Sequence, residues 1–263
     1  MLRQNWLIFK AEVKKQWDIE KRYKLGVISD LIVYYALFIL LYLLIKNNSG
    51  DITESELNLR ISVQVVSYVS WFFFSFTINF VFNNINKESS EGTIEQLAIG
   101  PNSLYKIFYI KLLVISFRNI ILMIPLQLLL MISTNTRIIF SIDTFLIFFI
   151  MIFGTVGLSL LLGGLQIYYK NIGQFPFIIT ILFLSSALFD MSKLPSTIQN
   201  VLYFLPFAKG VDLIKQSILP NVNIPFLQLL FLLVNSIVYL FIGVFIFHYF
   251  VNKSKYYGRL GSF

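Results

Sequence analysis

Cysteine is absent from the 263-residue sequence, and histidine occurs once, as His248. The first absence excludes disulfides, thiolate metal sites and a cysteine nucleophile. The second leaves no basis for a zinc centre, which takes three or four ligands, so His248 reads as structural and no metal site is expected. Charge is scarce too. Charged residues make up 13% of the chain and hydrophobic residues 57%, whereas soluble domains carry about 25% charge. Too little polar surface exists to cover a soluble fold, and no polar stretch is long enough to form a soluble domain of its own. Nor is there a Gly-Lys pair anywhere in the chain. A phosphate-cradling loop of the form Gly-x-x-x-x-Gly-Lys-Ser/Thr is therefore excluded.

What the sequence does have is apolar length. Six stretches, roughly 25–45, 61–82, 112–133, 145–168, 172–189 and 226–251, are rich in Leu, Ile, Val and Phe. At 1.5 Å per residue each is long enough, or nearly so, to cross a hydrocarbon core about 30 Å thick. The fifth is the shortest and contains Pro176. The fold class expected is all-α: a polytopic membrane protein with six transmembrane helices. An N-terminal interface helix precedes them, and a short re-entrant helical region precedes the last span. In domain terms, residues 1–24 form the interface helix and 25–263 a single transmembrane domain.

Residues 1–24 are amphipathic. Leu2, Trp6, Phe9, Val13 and Trp17 recur every three or four residues, while Lys10, Lys14, Lys15, Lys21, Arg22 and Lys24 lie mainly elsewhere around the helix. Such a helix lies in the membrane interface with its Trp rings at headgroup depth. Trp6, Phe9, Lys14 and Trp17 are the residues assigned to that contact. A plain juxtamembrane helix is the alternative, and a cleavable signal is not expected, since no early apolar core with a small-residue cleavage site is present. With the N-terminus inside, the inner segments hold 14 Lys and Arg residues and the outer segments 6, Arg118 lying within a span. This bias orients both termini to the cytoplasm. It also accounts for the net charge of +8 without nucleic acid, which is not expected as a partner.

Two connectors break the pattern. The external one, 190–224, is only half polar and is punctuated by Pro195, Pro206 and Pro220. It suggests paired short helices dipping toward the membrane, where irregular backbone is tolerated if it is buried in protein or lines a cavity. The internal one, 83–103, holds Ser89 and Ser90 as candidate caps for a short helix through Thr93–Leu97. Glu88, Glu91 and Glu95 give it an acidic face, and Ile94 and Leu97 an apolar one. An exposed amphipathic helix of this kind is a docking element for a soluble partner, or else simply one turn of helix in a loop. No internal repeat supports an inverted-repeat transporter.

Within the spans, Arg118 either snorkels to the inner surface or pairs with an acidic group. Asp190 and Asp212 bracket the external connector. Gly154, Gly157, Gly163 and Gly164 suit close helix packing or a gate. Paired carboxylates, a His-Glu pair or a serine dyad at membrane depth are all but missing, which argues against an intramembrane protease or lipid synthase. No charged ring or filter-like glycine run suggests a channel. The chain is not expected to be an enzyme.

The run Glu91-Gly92-Thr93-Ile94-Glu95-Gln96-Leu97, followed by Gly100-Pro101, resembles the loop between the second and third spans of ABC type-2 export permeases. The six spans, interface helix and external connector resemble the rest of that family. The resemblance implies that two permease subunits pair, as a homodimer of two copies of this chain, each docking one cytoplasmic ATPase. ATP and Mg would be bound by the ATPase, with no cofactor in this chain. The docking helix would cover about 86–99, with Glu88, Glu91 and Glu95 facing the ATPase, Ile94 and Leu97 in its groove, and Gly92, Thr93 and Pro101 shaping the loop. Cargo would leave between the first, second and fifth spans. The aromatic tract Trp71, Phe72, Phe73, Phe74 and Phe76 suits an apolar or amphipathic cargo such as a drug, a bacteriocin-like peptide or a lipid-linked molecule, or else faces lipid. The host would be a bacterium, given the abundance of Lys, Asn, Ile and Phe, and the site its plasma membrane. The competing expectation is a membrane anchor, signalling or immunity component that recruits a soluble partner without transport.

Overall fold

A computed structural model describes residues 2–47, 53–99, 104–191, 194–220 and 222–257. The described residues contain helices and no strands. In chain order they are α1 (Leu2–Arg22), α2 (Lys24–Asn47), α3 (Glu54–Ser90), α4 (Thr93–Ile99), α5 (Leu104–Thr134), α6 (Ile142–Tyr169), α7 (Phe175–Leu188), α8 (Ser196–Tyr203), α9 (Pro206–Ile218) and α10 (Phe226–Tyr256). Local chemistry sets several starts. Thr53 Oγ1 accepts from the Glu56 amide at the head of α3, and Ser141 Oγ from the Thr144 amide at the head of α6. Proline opens α9 at Pro206, where its missing N–H costs nothing.

Five helices, α2, α3, α5, α6 and α10, are long and apolar enough to cross a membrane. The fifth expected span is the exception. Its helix, α7, has 14 residues, about 21 Å at the α-helical rise and short of the hydrocarbon thickness. The 190–224 connector contributes two short helices, and the buried face of α9 packs against α3, α6 and α7. At 37 residues, about 56 Å, α3 outruns any bilayer and carries its C-terminal turns beyond it.

The aromatic tract corrects an expectation. Between Ile61 and Ile78 only Val63 and Phe76 escape full burial, so α3 is the central helix of the bundle. Trp71, Phe72 and Phe74 are packed inside the bundle and do not face lipid. Phe74 meets Phe183 of α7 and Phe207 of α9 at ring-centroid distances of 4.6 and 4.4 Å. Trp71 Nε1 donates to the Thr180 carbonyl at 2.7 Å, and Phe72 and half-buried Phe76 stack around Tyr34. Rings of this size interlock better between helices than against mobile acyl chains.

The glycines of α6 serve packing. The α6 and α10 backbones touch at Gly157 and Gly243, where a Cβ on Gly243 would stand 2.0 Å from the Gly157 carbonyl oxygen. Without a hydrophobic drive between helices in lipid, such close approach supplies the dispersion contacts that hold the pair.

Candidate functional site

The connector between α3 and α5 is a bent lever. α3 does not stop at the membrane but continues through Ser90. Its last turn closes with the Glu91 amide donating to the Lys87 carbonyl at 2.9 Å, and the Gly92 amide to the Ser89 carbonyl at 3.2 Å. Gly92 then adopts φ +68°, a left-handed conformation that glycine reaches without the Cβ penalty. The chain turns there into α4. A single docking helix over 86–99 is thus replaced by two helical pieces hinged at Glu91-Gly92. Ser90 is no cap of α4; its Oγ donates back to the Lys87 carbonyl at 2.9 Å.

The facing of side chains also differs from expectation. Glu88 points into the protein: its Oε1 accepts from Lys111 Nζ of α5 at 2.7 Å, and its Oε2 from the Thr93 hydroxyl. The two side chains of the ion pair are 13% and 4% exposed. Ile94 is fully buried and joins Val81 and Ile85 of α3 and Leu104 and Phe108 of α5 in an apolar cluster, with Leu97 half-buried against it. Neither Glu88 nor Ile94 is therefore free to meet a partner. Burial follows from amphipathicity: a seven-residue helix beside a bundle turns its apolar side inward. Glu91 and Glu95 remain exposed. Glu91 lies 3.8 Å from Lys87, an exposed pair of little energetic weight. Gly100 and Pro101 lie outside the described residues.

Two further attachments reach this end of the bundle, and local spacing carries no signal for either. Gln166 near the end of α6 donates from Nε2 to Asn86 Oδ1 of α3 and to the Lys170 carbonyl, and accepts from the Ile172 amide at 3.1 Å. The α6–α7 turn is thereby fastened to the α3 extension. Arg118 of α5 donates from Nε to Glu20 Oε1 of α1 at 2.5 Å, resolving the choice between snorkelling and pairing in favour of a pair whose acid comes from the interface helix. On α1, Trp6 and Trp17 are exposed, as is Lys14, while Phe9 is half-buried and stacks on Trp6 at 5.8 Å.

At the opposite end, Asp212 accepts from Lys209 Nζ at 3.3 Å and from Gln216 Nε2 at 3.1 Å. Lys215 Nζ donates to the Ser186 and Phe189 carbonyls at 2.9 and 2.7 Å, satisfying the C-terminal carbonyls of α7. His248 shares a hydrogen bond with Asn252 at 2.9 Å, one turn away on α10.

A helical bundle with several membrane-length spans, and a stapled helix standing off one end, defines a polytopic membrane protein with a built interaction element. Residues 45–245 match the family model described as ABC-2 family transporter protein, and the chain belongs to that family. It is a permease component of an ABC transporter, a membrane part that works with an ABC ATPase. No curated protein matches the sequence.

Proposed function

We propose that the chain is the membrane subunit of an ATP-driven exporter and that α4 with the Glu91-Gly92 hinge is where a separate cytoplasmic ATPase docks. The observation that carries this reading is the staple between Glu88, Thr93 and Lys111. It ties α4 to both α3 and α5 while leaving Glu91 and Glu95 outward. A push on α4 then moves two spans together instead of bending a loose loop. ATP and Mg are bound by the ATPase, and this chain catalyses no reaction. Both termini face the cytoplasm, as the lysine and arginine bias requires, in the plasma membrane of a bacterium.

Two copies of the chain pair, with one ATPase under each. Support comes from α2, whose only fully buried residue is Phe38 and whose exposed Ile28, Ile32, Leu40 and Leu44 form an unfilled apolar surface. Cargo leaves beside α2, not through the packed face of α3, and is apolar or amphipathic: a drug, a peptide of bacteriocin type or a lipid-linked molecule.

The test replaces Glu91 and Glu95 with Lys in the co-expressed complex. The doubly substituted protein inserts normally, loses the co-purifying ATPase and no longer stimulates ATP turnover. Unaltered turnover would overturn the docking assignment.

A further inference from the structure

A cavity of about 340 Å³ lies between α2, α3 and α5, away from the α4 staple. Its wall is built by helical periodicity. Asp30 and Tyr34 are one turn apart on α2, Phe76, Asn79 and Asn83 share a face of α3, and Ile115 and Arg118 share a face of α5. The cavity holds one carboxylate and one guanidinium, and the two do not pair with each other. Arg118 spends Nε on Glu20 and Nη1 on Asn119, and its guanidinium lies 5.8 Å from the centre of the Phe76 ring; of its five N–H donors, those on Nη2 make no hydrogen bond among the described residues. Asp30 and Asn83 are exposed and likewise make no hydrogen bond among them. Asp30 stands six residues into α2, about 9 Å from its start, which on the proposed orientation is the inner headgroup region.

We propose that this cavity receives the zwitterionic headgroup of an amphipathic cargo from the inner leaflet. The acidic group of the headgroup meets Arg118 and the Asn83 amide, its cationic group meets Asp30 beside the Tyr34 ring, and its chain stays in the surrounding lipid. Three features select that class. Opposite charges held apart suit a ligand carrying both signs. An aromatic ring, that of Tyr34, beside a carboxylate suits an ammonium. The volume is at the low end of the range of about 300–1,000 Å³ for ligand pockets, enough for a headgroup while the tail stays in lipid. This inference rests on the export reading and names its cargo class.

The full chain in phosphatidylglycerol nanodiscs, without ATPase or nucleotide, is labelled with a photoactivatable single-chain phosphoethanolamine amphiphile, and the modified peptides are mapped by mass spectrometry. Label falls on 28–34, 76–83 and 115–121. Asp30→Asn and Arg118→Gln each weaken labelling about tenfold, as the loss of one charged hydrogen bond requires. Asp30 makes no hydrogen bond among the described residues, so its variant remains informative even if Arg118→Gln disturbs α1. Competition by a phosphoglycerol amphiphile or a trimethylammonium amphiphile of equal chain length is weak. Equal competition by either would overturn the zwitterion assignment. Equal competition by inorganic phosphate would show a free-anion site and overturn the amphiphile. Labelling indifferent to both substitutions would show ordinary shell lipid. Absent labelling with ATPase stimulation intact sinks the cargo inference alone; labelling in a protein that stimulates no ATPase sinks the export reading and leaves a lipid site.

Discussion

Lys111 Nζ lies 2.7 Å from Glu88 Oε1, joining the end of α3 to α5 across 23 positions of sequence with both side chains nearly out of solvent. The same carboxylate holds Thr93 at the head of α4. One acidic group thus gathers three helices at the point where force from an ATPase would arrive.

Removing either partner leaves the other charge buried and unpaired, at a cost of about 3–5 kcal/mol. Lys111→Met and Glu88→Gln each lower the thermal unfolding midpoint of the purified protein and reduce stimulated ATP turnover. The double variant regains stability but not turnover, because the apolar replacement packs without tying α4 to α5. A double-mutant cycle on unfolding and on turnover separates these two effects.

Gly92 holds φ +68° with nothing within 4 Å of the position a Cβ would take. Its substitution therefore acts through backbone strain alone. Gly92→Ala costs about 1 kcal/mol and Gly92→Asn less, since Asn tolerates the left-handed region. Proteolysis of the loop should rise in the order wild type, Asn, Ala, with stimulated turnover falling in parallel.

At the α6–α10 contact the constraint is space. A Cβ on Gly243 would fall 2.0 Å from the Gly157 carbonyl oxygen, and backbone cannot give way as a side chain does. Gly243→Ala pushes the two helices apart and lowers the unfolding midpoint, and Gly243→Val yields little monodisperse protein by size-exclusion chromatography. Gly26, with open space around it, tolerates Ala.

The packed aromatic tract separates structure from cargo path. Phe74→Ala opens a cavity between α3, α7 and α9 and destabilises by roughly 3–5 kcal/mol. Phe241→Ala, at a ring 70% exposed on α10, is close to neutral. Cargo selectivity, measured by competition among amphiphiles for stimulated turnover, stays unchanged for whatever Phe74→Ala protein folds; a selectivity switch would put the packed face of α3 on the cargo path.

The transmembrane helices were legible because each is written in contiguous residues: apolar length, proline and the Ser or Thr cap are local signals. The loop was legible only in part. The expected single helix over 86–99 missed the break at Glu91-Gly92, and Glu88 and Glu95 look alike in sequence though one is turned inward and the other is exposed. Their difference is made by Lys111, which approaches from another helix. Arg118 posed the same problem, since its partner Glu20 lies 98 positions away.

By itself, then, the sequence determined that the chain crosses a membrane repeatedly as helices, and that a polar loop carrying Glu91-Gly92-Thr93 joins two of them. Hydropathy and helix propensity belong to short segments, so they survive without knowledge of neighbours. Only the tertiary structure decided that Trp71, Phe72 and Phe74 are core, that α7 is too short to span alone, that Glu88 and Ile94 face inward while Glu91 and Glu95 face out, and that Asp30 and Arg118 share one cavity. Each of those depends on which helix lies alongside, and that is set by packing among segments far apart in the chain.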